Sequence, residues 1–196
     1  VFLWHHKGVP QAACCMFAFR NPDLSQDYIV NHEFVSLSTE LIEAKSGGAT
    51  VWQSKRPGVI WKDVSDGSPV VQTRSGRLAQ MRNIAGQFTG VVDKTREELR
   101  MLRQPIYRYP ETMDRDGAIF VFAQATDPEI LLWLESDPKA ANPTWRFAVA
   151  RMTMMACSLN HSEKIVYSVE SCQEGNDESH TYRTLQRVPW KVVESK

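Results

Sequence analysis

The chain has no excess of charge of either sign: 23 Lys plus Arg stand against 23 Asp plus Glu in 196 residues. That balance removes the basic footprint from which nucleic-acid binding draws its electrostatic affinity, so no nucleic-acid partner is expected. Long apolar runs are missing as well. No uninterrupted stretch approaches the roughly 20 residues that cross a bilayer as a helix, and no membrane span is expected. Cysteine is scarce, with four in all; Cys14 and Cys15 are adjacent and would face opposite sides of a strand, while Cys157 and Cys172 lie far along the chain. This spacing is not a disulfide framework. Buried free thiols are the expected state, with one bridge from Cys14 or Cys15 to Cys157 as the alternative. Catalytic signatures are also lacking. There is no Gly-x-Ser-x-Gly elbow and no helix-borne zinc spacing, and no cofactor is expected.

What is present is a globular composition, 42% hydrophobic and 23% charged, in a length that suits one domain with a substantial core. Residues 1–61 read as a first β-meander. Val1–Trp4 and Gln11–Phe19 form a hairpin, Tyr28–Leu37 a third strand, and Leu41–Lys45 with Ala49–Gln53 a second hairpin turned by Gly47-Gly48. Residues 74–104 form a helical connection. Its main helix spans 74–90, because Leu78, Met81, Ala85 and Phe88 recur at helical spacing, with Thr73 or Ser75 as its cap and Gly90 as its end. A second helical turn is expected over Thr95–Leu102, ending before Pro105. Residues 116–170 read as a second β-meander, with Trp145–Leu159 as one bulged strand or two. Residues 171–196 are a tail, with a short edge strand near Val188–Val193.

The two meanders echo each other. Val1-Phe-Leu-Trp4, Pro10 and Cys14–Phe17 return 118 residues later as Ile119-Phe-Val-Phe122, Pro128 and Leu132-Trp133-Leu134. Further on, Phe34 and Val51-Trp52 match Phe147 and Val166-Tyr167. The expected fold is therefore α+β: a single domain, 1–196, of two antiparallel β-meanders, read as an internal duplication, joined by one main amphipathic helix. A crevice between such halves is a usual place for a ligand pocket.

Several segments together resemble an uncharacterised protein family of planctomycete-type bacteria. They are Val1-Phe2-Leu3-Trp4 with Gly8-Val9-Pro10, His32-Glu33-Phe34 before Ser36-Leu37-Ser38, Arg56-Pro57-Gly58-Val59, the run from Arg77 to Arg82, and Asp116–Phe120 leading to Thr126–Glu129. The resemblance covers nearly the whole chain and implies a bacterial origin but no activity. Val1 already lies inside a strand-like run, which implies loss of an N-terminal segment and leaves the compartment open between bacterial cytoplasm and export.

Candidate site residues fall into three groups. Trp4, Trp52, Trp133 and Trp145, on strands, could line a pocket or stack on planar ligands. His32 and Glu33, with His5 or His6, could complete a three-ligand site for a divalent ion, although neighbouring strand residues point to opposite faces. Arg74, Arg77, Arg82, Arg100, Arg103 and Arg108 could gather around an anion, although interspersed Glu97, Glu98 and Glu111 favour a mixed-charge surface. The favoured expectation is a non-catalytic binding module for an unknown small molecule or protein, with its pocket between the halves. The alternative is an enzyme or metal-binding protein around His32 and Glu33.

Overall fold

The structure, a computed structural model, describes residues 1–20, 28–64, 69–92, 97–172 and 178–190. The first meander is β1 (Phe2–His6), β2 (Val9–Arg20) and β3 (Tyr28–Ser36), followed by the hairpin β4 (Glu43–Ser46) and β5 (Ala49–Gln53). Both hairpins turn on two residues of positive φ, Lys7-Gly8 and Gly47-Gly48, the geometry whose twist matches that of the flanking strands. A short β6 (Lys62–Asp63) follows.

Helix α1 (Arg74–Ala85) starts where expected: Thr73 Oγ1 accepts from the Gly76 N–H at 3.2 Å. It ends earlier, at a Gly86 cap, because Phe88 opens strand β7 (Phe88–Val92). The expected second helical turn is also corrected. Glu97–Met101 is strand β8, with Leu99 opposite Gly90 on one side and Met101 opposite Phe122 on the other. Glu98 and Arg100 are exposed while Leu99 is buried, a period of two that pairing on both edges enforces over helix propensity. After β9 (Tyr107–Arg108) come β10 (Asp116–Gln124), β11 (Asp127–Ser136), β12 (Arg146–Arg151), β13 (Cys157–His161) and β14 (Lys164–Val169). The stretch Trp145–Leu159 thus holds two strands. The tail carries β15 (Tyr182–Trp190), longer than the expected edge strand; Lys191–Val193 lie outside the described residues.

These strands build a four-stranded sheet, β1-β2-β3-β15, and a nine-stranded sheet in the order β14-β13-β7-β8-β10-β11-β12-β6, with β9 also on β10. The outer strands are exchanged. β6 follows the β4–β5 hairpin yet pairs with β12, and β15 follows the β13–β14 hairpin yet pairs with β3.

The registers of the two meanders coincide. Adding 118 to both members of Phe2–Cys14, Leu3–Ala13, Trp4–Ala12, His5–Pro10 and His6–Val9 gives the five pairs from Phe120–Leu132 to Gln124–Asp127, with the register slip at the same step. Adding 115 to Glu43–Gln53, Ala44–Trp52, Lys45–Thr50 and Ser46–Ala49 gives the second hairpin's pairs, again with its slip. The third strand joins the same scheme, Cys14–Phe34 becoming Leu132–Val149. Phe34 therefore corresponds to Val149 and His32 to Phe147, a two-residue correction to the match expected from the sequence.

Equivalent faces pack on each other. Ala13, Cys15, Val35 and Leu37 share one buried cluster with their counterparts Leu131, Trp133, Ala150 and Met152. The opposite face of the nine-stranded sheet forms a second cluster, in which Phe120, Phe122, Ile130, Leu132, Phe147 and Val149 lie under Met81, Ile84 and Ala85 of α1 and Phe88 of β7.

Candidate functional site

Among the described residues the four-stranded sheet has no such cover on its outer face. Phe2, Trp4 and Met16 are 55%, 50% and 44% exposed, whereas their counterparts Phe120, Phe122 and Leu134 are 0%, 1% and 0% exposed. Along β3 the period of two brings His32 and Phe34 to this same face. The β4–β5 hairpin folds beside it and supplies Trp52. The result is an open groove of about 930 Å³ lined by Trp4, Ala12, His32, Phe34, Ala44 and Trp52, among others.

Aromatic stacking sets its shape. Phe34 sits between Trp4 and Trp52, with ring centroids 5.9 Å from each, and His32 stacks at 6.4 Å. Trp52 is the buried floor, fixed by donating its Nε1–H to the His180 carbonyl at 2.8 Å. Trp4 is the exposed wall, half in water. Offset aromatic faces of this kind suit apolar or planar groups, and the half-buried His32 adds a polar edge.

The other expected site residues lie elsewhere. Trp133 is buried in the core between the sheets, against Trp61 at 4.8 Å, and Trp145 is buried beneath α1; neither reaches the groove. Both were legible as strand aromatics, but in a doubly covered sheet each face is core. At the interface of the halves side chains from both share one buried cluster, and the groove lies instead on the outer face of the four-stranded sheet.

Glu33 points away from His32 into the interior. It is buried and accepts from the Tyr182 hydroxyl at 2.8 Å, and Tyr182 in turn lies under the guanidinium of Arg151, 5.2 Å from its ring. Burial pushes the Glu33 carboxyl up to about 7; the Tyr182 hydrogen bond works against this, while Asp127 and Glu129 add to it. Among the described residues no group of three or more His, Cys, Asp or Glu side chains could hold a metal ion. His5 is engaged at its turn, where its Nδ1 accepts from the Gly8 N–H at 3.3 Å. The metal site expected around His32 and Glu33 is therefore not assembled.

The Glu33 environment predicts a specific pH dependence. Its folded value lies above its unfolded one, so the folded state holds the extra proton, and stability falls as pH rises from about 4.5 to about 7. The loss amounts to roughly 3 kcal/mol. Glu33→Gln, which keeps an acceptor for Tyr182, should match the parent near pH 4.5 and exceed it in stability at pH 8, measured by urea unfolding at both values. Equal stability of the two proteins at pH 8 would show that Glu33 ionises without cost.

All four cysteines are buried and none forms a disulfide. Burial, with Cys15 next to it, pushes the Cys14 thiol up to about 11, and burial also raises Cys15. Neither is an activated nucleophile.

Five of the six arginines proposed for an anion site, Arg74, Arg77, Arg82, Arg100 and Arg108, bond within the protein itself. Asp116, buried, takes Arg77 at 2.7 Å and Arg108 at 2.9 Å, with Arg74 at 3.7 Å. Burial opposes ionisation of Asp116, yet the hydrogen bonds and charges of Arg108 and Arg77 outweigh it and hold its carboxyl below the usual aspartate range. Arg82 bonds the Arg103 carbonyl and Gln104, and Arg100 the Ala125 carbonyl. A second buried acid, Glu135, is bound by Arg115, Arg146 and the Tyr109 hydroxyl. These networks tie α1 and the loops to the large sheet; of the residues proposed for an anion site, Arg82 and Arg103 line a small cavity beside Asn83 and Met101, and the others are not gathered with them. Sequence reasoning missed them because the partners are distant in sequence; Asp116 read only as the opening of a strand.

Comparison with family models, with characterised proteins and with solved structures found no match. No helix among the described residues is long and apolar enough to cross a membrane.

Proposed function

We propose that the chain is an internally duplicated, non-catalytic binding module whose working surface is the aromatic groove around Trp4, His32, Phe34 and Trp52. Duplication is supported by coincident registers, coincident slips and reciprocally exchanged outer strands, features that two unrelated meanders have no reason to share. The resemblance noted from the sequence implies no activity, so the functional part of the proposal rests on the groove.

A single observation carries it. The outer face is closed over in the second half and, among the described residues, open at the corresponding positions of the first, leaving large apolar side chains in water. Contiguous exposed apolar surface of this kind marks interaction sites. An enzyme centred on His32 and Glu33 has less support, because the two side chains occupy opposite faces of the sheet.

Anilinonaphthalene sulfonate tests the reading. The native protein should bind it saturably at one site, with near-ultraviolet circular dichroism unchanged, and Ala44→Trp should weaken binding at least tenfold by filling the groove. No binding, or equal binding by the variant, contradicts the proposal.

A further inference from the structure

We infer that the groove and the free edge of β1 together take a polypeptide segment of a partner chain, an amphipathic helix followed by a β-strand, docked as α1 and β8 dock on the second half. This inference rests on the binding reading above. The second half shows what the frame accommodates. There β8 and β9 run antiparallel along the outer edge of β10, with Met101 opposite Phe122 and Tyr107 opposite Ile119. The Leu102 N–H donates to the Val121 carbonyl at 2.8 Å, and the Ile106 N–H donates to the Ile119 carbonyl at 2.9 Å. The face beside that edge is closed by Met81, Ile84 and Ala85 of α1 and by Phe88, whose ring lies 5.2 Å from Phe147 and 4.4 Å from His161.

In the first half the positions of Val121, Phe122 and Phe147 are held by Leu3, Trp4 and His32. Among the described residues β1 has β2 as its sole strand neighbour. Because Val121 turns its carbonyl to the added strand, Leu3 turns its own main-chain groups outward from the β1–β2 pair. Among the described residues the edge thus offers an unpaired donor and acceptor beside an aromatic trough. Only a polypeptide satisfies both at once: its strand pairs with the edge by β-augmentation, and its helix lays an apolar stripe in the trough. A small apolar ligand would fill the trough and leave the edge unpaired, and a second copy joined edge to edge would pair β1 and leave the trough open. The partner is thus expected to carry large apolar residues at helical spacings of three and four, as Met81, Ile84 and Ala85 do, and then an extended stretch.

The probe is a synthetic peptide of the sequence Arg74–Tyr109, added to the intact chain and followed by calorimetry and amide chemical shifts. Saturable one-to-one binding is expected, with new protection at the Leu3 amide. Leu3→Pro should weaken it at least tenfold by blocking strand addition while leaving the β1–β2 ladder intact. Trp4→Lys, at an exposed site, should do the same through the trough, and provides the test if the proline variant fails to fold. Dye binding without peptide binding overturns this inference and spares the binding reading; absence of both overturns the two together. Peptide binding unaltered by Trp4→Lys, or a dimer that pairs β1 with β1 in sedimentation, also overturns it.

Discussion

Phe122→Ala should lower stability by about 3–5 kcal/mol, while Trp4→Ala, at the corresponding position of the first half, should cost less than about 1 kcal/mol. Phe122 sits in the closed cluster beneath α1, and truncation there leaves a cavity that the surrounding strands cannot collapse to fill. Trp4 stacks on Phe34 with half its surface in water, so little apolar area is returned to solvent when it is removed. Urea unfolding of both variants, with the slope unchanged from the parent, gives the comparison. Equal losses would mean that the first half is roofed as tightly as the second, and the groove would cease to be a binding surface.

Asp116→Ala should cost a similar amount, about 3–5 kcal/mol at pH 7, because it strands the guanidinium groups of Arg77 and Arg108 in a largely buried setting. The folded value of Asp116 lies below its unfolded one. Its stabilisation is thus fully present above the unfolded value and is lost as pH falls through the folded value. The parent should lose this contribution in acid and the variant should not, which narrows the gap between them below about pH 3.9. A constant gap across the acid range would mean that the arginines do not act on the ionised carboxylate. Glu33 acts with the opposite sign, so the two buried acids bracket a stability maximum at mildly acidic pH.

The frame was more legible than the site. The echo at 118 residues gives the first hairpin of each half in correct register, since Pro10 and Pro128 occupy the same step beside the slip. The match failed at the third strand because identity of Phe34 with Phe147 outweighed spacing, while the loops before them differ in length. Phe88 continued the helical spacing of Ala85, yet Gly86 ends the helix and pairing with β13 claims Phe88 for a strand. No local signal announces that β15 crosses back to β3, because the exchange is purely long-range. Trp4, His32 and Trp52 were identifiable as candidate residues that the structure brings into one groove, and Phe34 follows from His32 by the period of two. Trp133, on β11, and Trp145, just before β12, are the same residue type in equally apolar segments. What separates them is which faces the rest of the chain covers, a property of tertiary packing that no single strand encodes.

The account turns on one asymmetry, a shared frame covered in the second half and open in the first, and native-state hydrogen exchange at Leu3 and Val121 measures it directly. These amides hold equivalent positions, one on the free edge of β1 and the other buried in β10, where the Leu102 N–H bonds the Val121 carbonyl. The account predicts that Leu3 exchanges at close to the rate of an unstructured amide, while Val121 exchanges only through unfolding of the large sheet. Comparable protection at both positions would contradict it.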